Sequence, residues 1–158
     1  MAEPKAGKFR YRLDTVLKVR DIKERQEQEE FAKKKRDYLT EKQEEEKISA
    51  HQKKRAGELR NMLKRGPITD FERVLRRRAH LGVVKKDLDQ QVEKVVQASQ
   101  KLEEQRMKLI DAMKDKKIID RHKEKQLDAW RKVMQDLETK FLDEIGTIRY
   151  IRDKKQEG

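Results

Sequence analysis

Residues 127–151, LDAWRKVMQDLETKFLDEIGTIRYI, decide the fold. Apolar side chains recur there at spacings of three and four: Leu127, Trp130, Met134, Leu137, Phe141, Ile145, Ile148 and Ile151. That spacing lays them in one stripe along a helix, with charged faces between. A stripe this long and narrow suits the seam of a coiled coil and calls for a partner helix to cover it.

Upstream the same register continues. Leu81, Leu88, Val95, Leu102 and Leu109 recur every seven residues, interleaved with Val92 and Met113, and lead through Lys116, Asp120 and Lys123 to Leu127. A heptad register held across a polar gap implies one continuous helix there. The first half of the chain is weaker but similar. Phe9, Leu13, Val16, Leu17 and Val19 open a stripe that Phe31, Tyr38, Ile48, Leu59 and Met62 carry onward through strong helix formers.

Composition agrees with long helices rather than a thick core. Of 158 residues, 47% are charged and only 34% hydrophobic, which excludes a large apolar interior. No cysteine is present, so neither a disulfide framework nor a thiolate metal site is available. No apolar run reaches the length of a membrane span, and residues 1–8 lack the apolar core of a signal peptide. The expectation is a soluble cytoplasmic protein.

Between the two patterned halves, Arg65-Gly66-Pro67 is a helix stop. Thr69 or Asp70 can cap the next helix, and Glu72 completes a capping box with Thr69. The expected fold is all-α: an antiparallel two-helix coiled-coil hairpin with a short bent helical segment at the turn end. Its parts are a flexible arm over 1–8, helix 1 over 9–65, a turn and short basic helix over 66–88, helix 2 over 89–153 and a tail over 154–158. Two registers compete. Tight closure at Gly66-Pro67 would set Leu13 near Lys123 and leave the 130–151 stripe bare. Setting Leu17 near Leu137, Leu13 near Phe141 and Met62 near Val92 covers every apolar cluster, so this second register is expected. It requires a bend between Thr69 and Leu88, with Gly82 as the hinge, because five linking residues span only about 17 Å.

The formal charge is +12, concentrated in the middle: residues 53–87 hold twelve basic residues against four acids. Three readings of that stretch stay open on the residues alone: a solvated surface, non-specific nucleic-acid or anionic-membrane binding, and docking onto an acidic protein. Specific nucleic-acid recognition lacks both a motif and aromatic platforms. Catalysis has no candidate residues either. Gly7-Lys8 lacks the rest of a phosphate loop, and His51, His80 and His122 are too far apart in sequence to share a helical turn, so no cofactor or metal is expected. Ser49 and Ser99 sit in solvated helix with no cavity to exclude water. The protein is expected not to be an enzyme.

Two segments resemble a known family. Phe9-Arg10-Tyr11-Arg12-Leu13-Asp14-Thr15-Val16-Leu17-Lys18-Val19-Arg20 is similar to the opening of the flagellar export protein FliJ, and Leu142-Asp143-Glu144-Ile145-Gly146-Thr147-Ile148-Arg149-Tyr150 resembles that family's carboxy-terminal end. Gly146 departs from the pattern, since glycine inside a helix costs about 1 kcal/mol relative to alanine. The resemblance implies a central stalk of the flagellar type III secretion apparatus, needed for flagellum biogenesis and so for motility and chemotaxis. Its implied partners are the hexameric export ATPase, the export gate protein and export chaperones, with no small-molecule substrate. Implied localisation is cytoplasmic, peripherally associated with the membrane through the apparatus. By analogy with rotary stalks, Leu13, Leu17, Arg20, Trp130, Phe141, Ile148, Arg149 and Arg152 are expected to face the ATPase. Arg60, Lys64, Arg65, Arg73, Arg76, Arg77 and Arg78 are expected to face the gate.

Overall fold

Charged, strongly helix-forming sequence on either side of one Gly-Pro break folds as two long helices. In a computed structural model, which describes residues 7–156, α1 spans Asp14–Lys64 (51 residues) and α2 spans Phe71–Gln156 (86 residues). There is no strand among the described residues. Parts of the expected arm (1–6) and tail (157–158) lie outside them. The helix ends have local causes. Gly66 takes φ +118°, the left-handed conformation that lets the chain leave a helix, and Pro67 prevents its resumption. Asp70, not Thr69, caps α2: its Oδ1 accepts from the Arg73 backbone N–H at 3.0 Å.

Three boundaries differ from the sequence expectation. Helix 1 begins at Asp14 rather than at residue 9, because side chains of the preceding segment are held against α2 and the Asp14 N–H closes a turn onto the Tyr11 carbonyl (3.3 Å). The 66–88 stretch is not a separate short helix. Helix continues unbroken through Gly82 from Phe71, so no break falls where the hinge was placed. At the far end, helix runs through 154–156, past the expected start of the tail.

The chain divides into two compact units. In the unit Glu24–Asp111 the seam of α2 buries Val84 and Val95, but also Gln91 and Gln105. Each glutamine amide donates twice to one glutamate of α1. Gln91 Nε2 reaches the Glu41 carbonyl oxygen (3.0 Å) and its Oε2 (2.6 Å), and Gln105 Nε2 reaches the Glu27 carbonyl (3.4 Å) and carboxylate. Arg77 meets Glu58 at 3.5 Å nearer the turn. In the other unit, formed by residues up to 23 and from 112 onward, Ala112 and Tyr11 are buried and ion pairs cross between the helices, among them Asp14 with Lys123 (3.0 Å), Arg20 with Asp115 (2.5 Å) and Asp21 with Lys116 (2.7 Å).

Both units therefore adopt the tight register, with Leu13 at the level of Lys123, and the expected pairing of Leu17 with Leu137 does not occur. The reason is polar. Shifting the helices would strip the buried Gln91 and Gln105 amides of their acceptors, at about 1–3 kcal/mol for each group left unsatisfied. With tight closure the 65–70 link suffices, and the bend that the other register required is unnecessary.

Since the chain has no cysteine, introduced pairs report this register directly. Asp14→Cys with Lys123→Cys should be joined by a short bis-maleimide. Leu17→Cys with Leu137→Cys should not, because the observed partner level lies about 27 Å away along α2. In a Gln91→Leu, Gln105→Leu background the melting temperature should hold or rise while products of shifted registers appear, as expected when a polar seam group sets alignment rather than stability. Efficient linking of Leu17→Cys to Leu137→Cys in the unaltered seam would refute the assignment.

Candidate functional site

The unit holding both ends of the described chain is organised by aromatic residues and charges. Residues 7–13 are not helical. Phe9 stacks on Trp130 (ring centroids 5.8 Å apart), and Tyr11 is buried, its hydroxyl donating to the Ile119 carbonyl (3.4 Å) and sharing a hydrogen bond with His122 Nδ1 (2.8 Å). Trp130 and His122 are separated by about 12 Å of helix at 1.5 Å per residue, so residues 9–11 must run extended to touch both. Lys123 lies over the Tyr11 ring (5.7 Å) and bonds Asp14. That bond, with a second from Lys18, holds the Asp14 carboxyl below the usual carboxylate range.

Beyond Trp130 nothing among the described residues covers α2. Val133, Leu142, Tyr150 and Ile151 are at least half exposed, and Leu137 (46%) and Ile148 (44%) nearly so, while Met134, Phe141 and Ile145 are partly shielded. Half of the stripe beyond Trp130, namely Leu137, Ile148 and Ile151, is thus exposed.

The residues expected to face the ATPase are split by this geometry. Leu13, Leu17, Arg20 and Trp130 are half-buried in the helix contact, with Arg20 engaged by Asp115. Phe141, Ile148, Arg149 and Arg152 lie on the uncovered length of α2, both arginines exposed. At the basic end Arg60, Lys64, Arg65, Arg73, Arg76 and Arg78 are exposed, whereas Arg77 is drawn to Glu58. The Glu58 carboxyl is itself held low, chiefly by Arg55 and less by Arg77. Near it His51 and His80 meet edge to face, ring centroids 6.1 Å apart.

Sequence reading missed the register pairs and the extended start. One signal was available: Glu27 and Glu41, like Gln91 and Gln105, are fourteen residues apart, two heptads on each strand of the hairpin. No helix among the described residues is long and apolar enough to cross a membrane, and no group of three or more metal-ligating side chains occurs among them.

Comparisons with known proteins place these features. A family model described as "Flagellar FliJ protein" matches residues 9–155. Among solved structures, the chain is similar to "Structure of a putative YscO homolog CT670 from Chlamydia trachomatis", with 24% sequence identity, 93% of this chain and 98% of that chain covered, and a TM-score of 0.52. At that identity the likeness is one of fold. No curated protein matches.

The Asp14 contact has a pH signature. Because its native pKa is depressed, the stability it contributes is fully present above the ordinary value of 3.8 and is lost as pH falls through the lower native value. Thermal unfolding of wild type and Asp14→Asn between pH 6 and 2 should show a gap that closes on the acid side of that value. A gap independent of pH would show that the carboxylate charge is not what counts.

Proposed function

The chain belongs to the FliJ family of flagellar proteins, and from that premise we propose that it is the stalk of the flagellar type III export apparatus, coupling the hexameric export ATPase to the export gate and handling export chaperones. In this reading the protein is not a catalyst. It works in the cytoplasm and meets the membrane only through the gate.

One observation carries the assignment of surfaces: along α2 from Val133 to Ile151, the large apolar side chains of Val133, Leu137, Leu142, Ile148, Tyr150 and Ile151 are exposed. A run of partly exposed apolar side chains of that length is a liability unless a partner receives it. A hexameric ring offers an enclosed, water-poor surround for a single helix, so we assign this length of α2 to the ATPase. Phe141 and Ile148 supply apolar contact, and Arg149 and Arg152 supply cations toward the end of α2. Arg20 holds the hairpin together instead, since Asp115 already takes its guanidinium. The exposed cations Arg60, Lys64, Arg65, Arg73, Arg76 and Arg78 are assigned to the gate. Those same cations favour one rival, non-specific binding to nucleic acid or an anionic membrane, which salt would abolish steeply.

Phe141→Asp with Ile148→Asp should leave helicity intact, weaken capture by the purified ATPase hexamer by about tenfold or more, and abolish motility of a deletion strain that the wild-type gene restores. Photo-crosslinker attached at Arg149→Cys should label the ATPase, and at Arg77→Cys it should not. Labelling through position 77 alone would reverse the ends. A deletion strain that swims normally would remove the export role.

A further inference from the structure

The extended segment before α1 has a chemistry that the stalk assignment does not use. Arg10 and Arg12 flank Tyr11, and both are exposed. Among the described residues neither guanidinium has an ion pair or hydrogen bond. Tyr11 is anchored in the helix contact, while Arg10 before it and Arg12, in the turn that leads into α1, stay exposed. Both line a hollow of about 730 Å³, together with Phe9, Thr15, Asp14 and Lys123. Apart from the Tyr11 and Leu13 carbonyls, which accept from Asp14 and Leu17, no backbone group of residues 7–13 bonds another backbone group among the described residues.

We propose that the Arg10-Tyr11-Arg12 segment is a docking site for an acidic stretch of a partner protein, in which two carboxylates pair with the two guanidiniums. Charge decides the class of ligand. Lys123 is already engaged by Asp14 at 3.0 Å, so among the described residues lining this hollow Arg10 and Arg12 are the cations left without a partner, one on each side of Tyr11. That arrangement matches two separate single charges better than one concentrated phosphate. Guanidinium forks bind carboxylates bidentately, while Phe9 offers an apolar wall for a side chain between the two acids. The unpaired main chain of the segment can also hydrogen-bond an extended peptide laid beside it.

The test uses the full chain and a peptide probe rather than the ATPase, so its outcome is separate from that of the stalk assignment. End-blocked, fluorescein-labelled Glu-Phe-Asp-Leu-Glu is titrated with the protein at low salt, and anisotropy is read. Arg10→Gln with Arg12→Gln should weaken binding by about tenfold. Lys8→Gln with Lys132→Gln, an equal loss of charge in the same unit, should change it by less than about twofold. Arg10→Lys with Arg12→Lys should fall between, because charge survives and the fork does not. The matched amide peptide Gln-Phe-Asn-Leu-Gln should bind far more weakly, and circular dichroism should show every variant folded. Absence of binding, equal losses in the two Gln pairs, equal binding of the amide peptide, or displacement by inorganic phosphate or oligothymidylate as effective as by unlabelled acidic peptide would each overturn the proposal.

Discussion

Two glutamine amides set this hairpin. Gln91 and Gln105 are buried, and each finds both of its acceptors on one glutamate of α1, Glu41 and Glu27. A displacement by one heptad would break both contacts at once, because the donors and the acceptors are each spaced by two heptads. Apolar seams tolerate such slips, since one aliphatic side chain substitutes for another. A buried primary amide does not, and it fixes alignment where the greasy part of the seam leaves it open. Tight closure at Gly66 follows from that alignment.

The seam is polar to a degree that the pattern of α2 alone conceals. The buried apolar residues are Tyr11, Val84, Val95 and Ala112, and α1 buries none of its own. Along α1 the half-buried positions include Arg20, Glu24, Glu27, Lys34, Glu41 and Glu45 beside Leu17, Phe31, Tyr38, Ile48, Leu59 and Met62. Intrinsic propensity and i,i+3 pairs such as Lys33 with Glu30 and Lys47 with Glu44 therefore maintain α1 as a helix, each exposed pair contributing only a few tenths of a kcal/mol. Ion pairs between the helices then hold it in place. Association of this kind weakens with salt and opens more readily than a leucine seam.

Much of this was legible in the sequence, and the failures share one cause. Heptads in α2, the Gly66-Pro67 stop and the hairpin topology are written in apolar spacing and turn chemistry, which are local. Register is not local. Apolar spacing favours the alignment that hides the most apolar surface, which presumes that the chain satisfies its own stripe. Glu27, Glu41, Gln91 and Gln105 overrule it, and the placing of a hinge at Gly82 fell with it. The start of α1 was misplaced for a related reason: Phe9 and Leu13 fit a helical period, but Phe9 and Tyr11 gain aromatic partners on α2 only if the chain runs extended. The exposed apolar side chains at Leu137, Ile148 and Ile151 fall on the stripe that the sequence spacing shows, whereas the engagement of Arg20 by Asp115 and of Arg77 by Glu58 depends on what lies across the seam.

The disposition of apolar residues becomes intelligible once folding and assembly are treated as competing uses of the same side chains. Leu137, Leu142, Ile148, Tyr150 and Ile151 are each 44–66% exposed, whereas the apolar side chains buried among the described residues are Tyr11, Val84, Val95 and Ala112. Completing the burial of a large aliphatic side chain is worth about 1–2 kcal/mol when roughly half of it starts exposed. A partner that enclosed these side chains would gain a contribution of that order from each. Had the register covered the stripe internally, that gain would have been used in folding and a partner would first have to undo it. In the tight register these apolar side chains stay exposed, so a partner could reach them without first undoing a contact inside the chain.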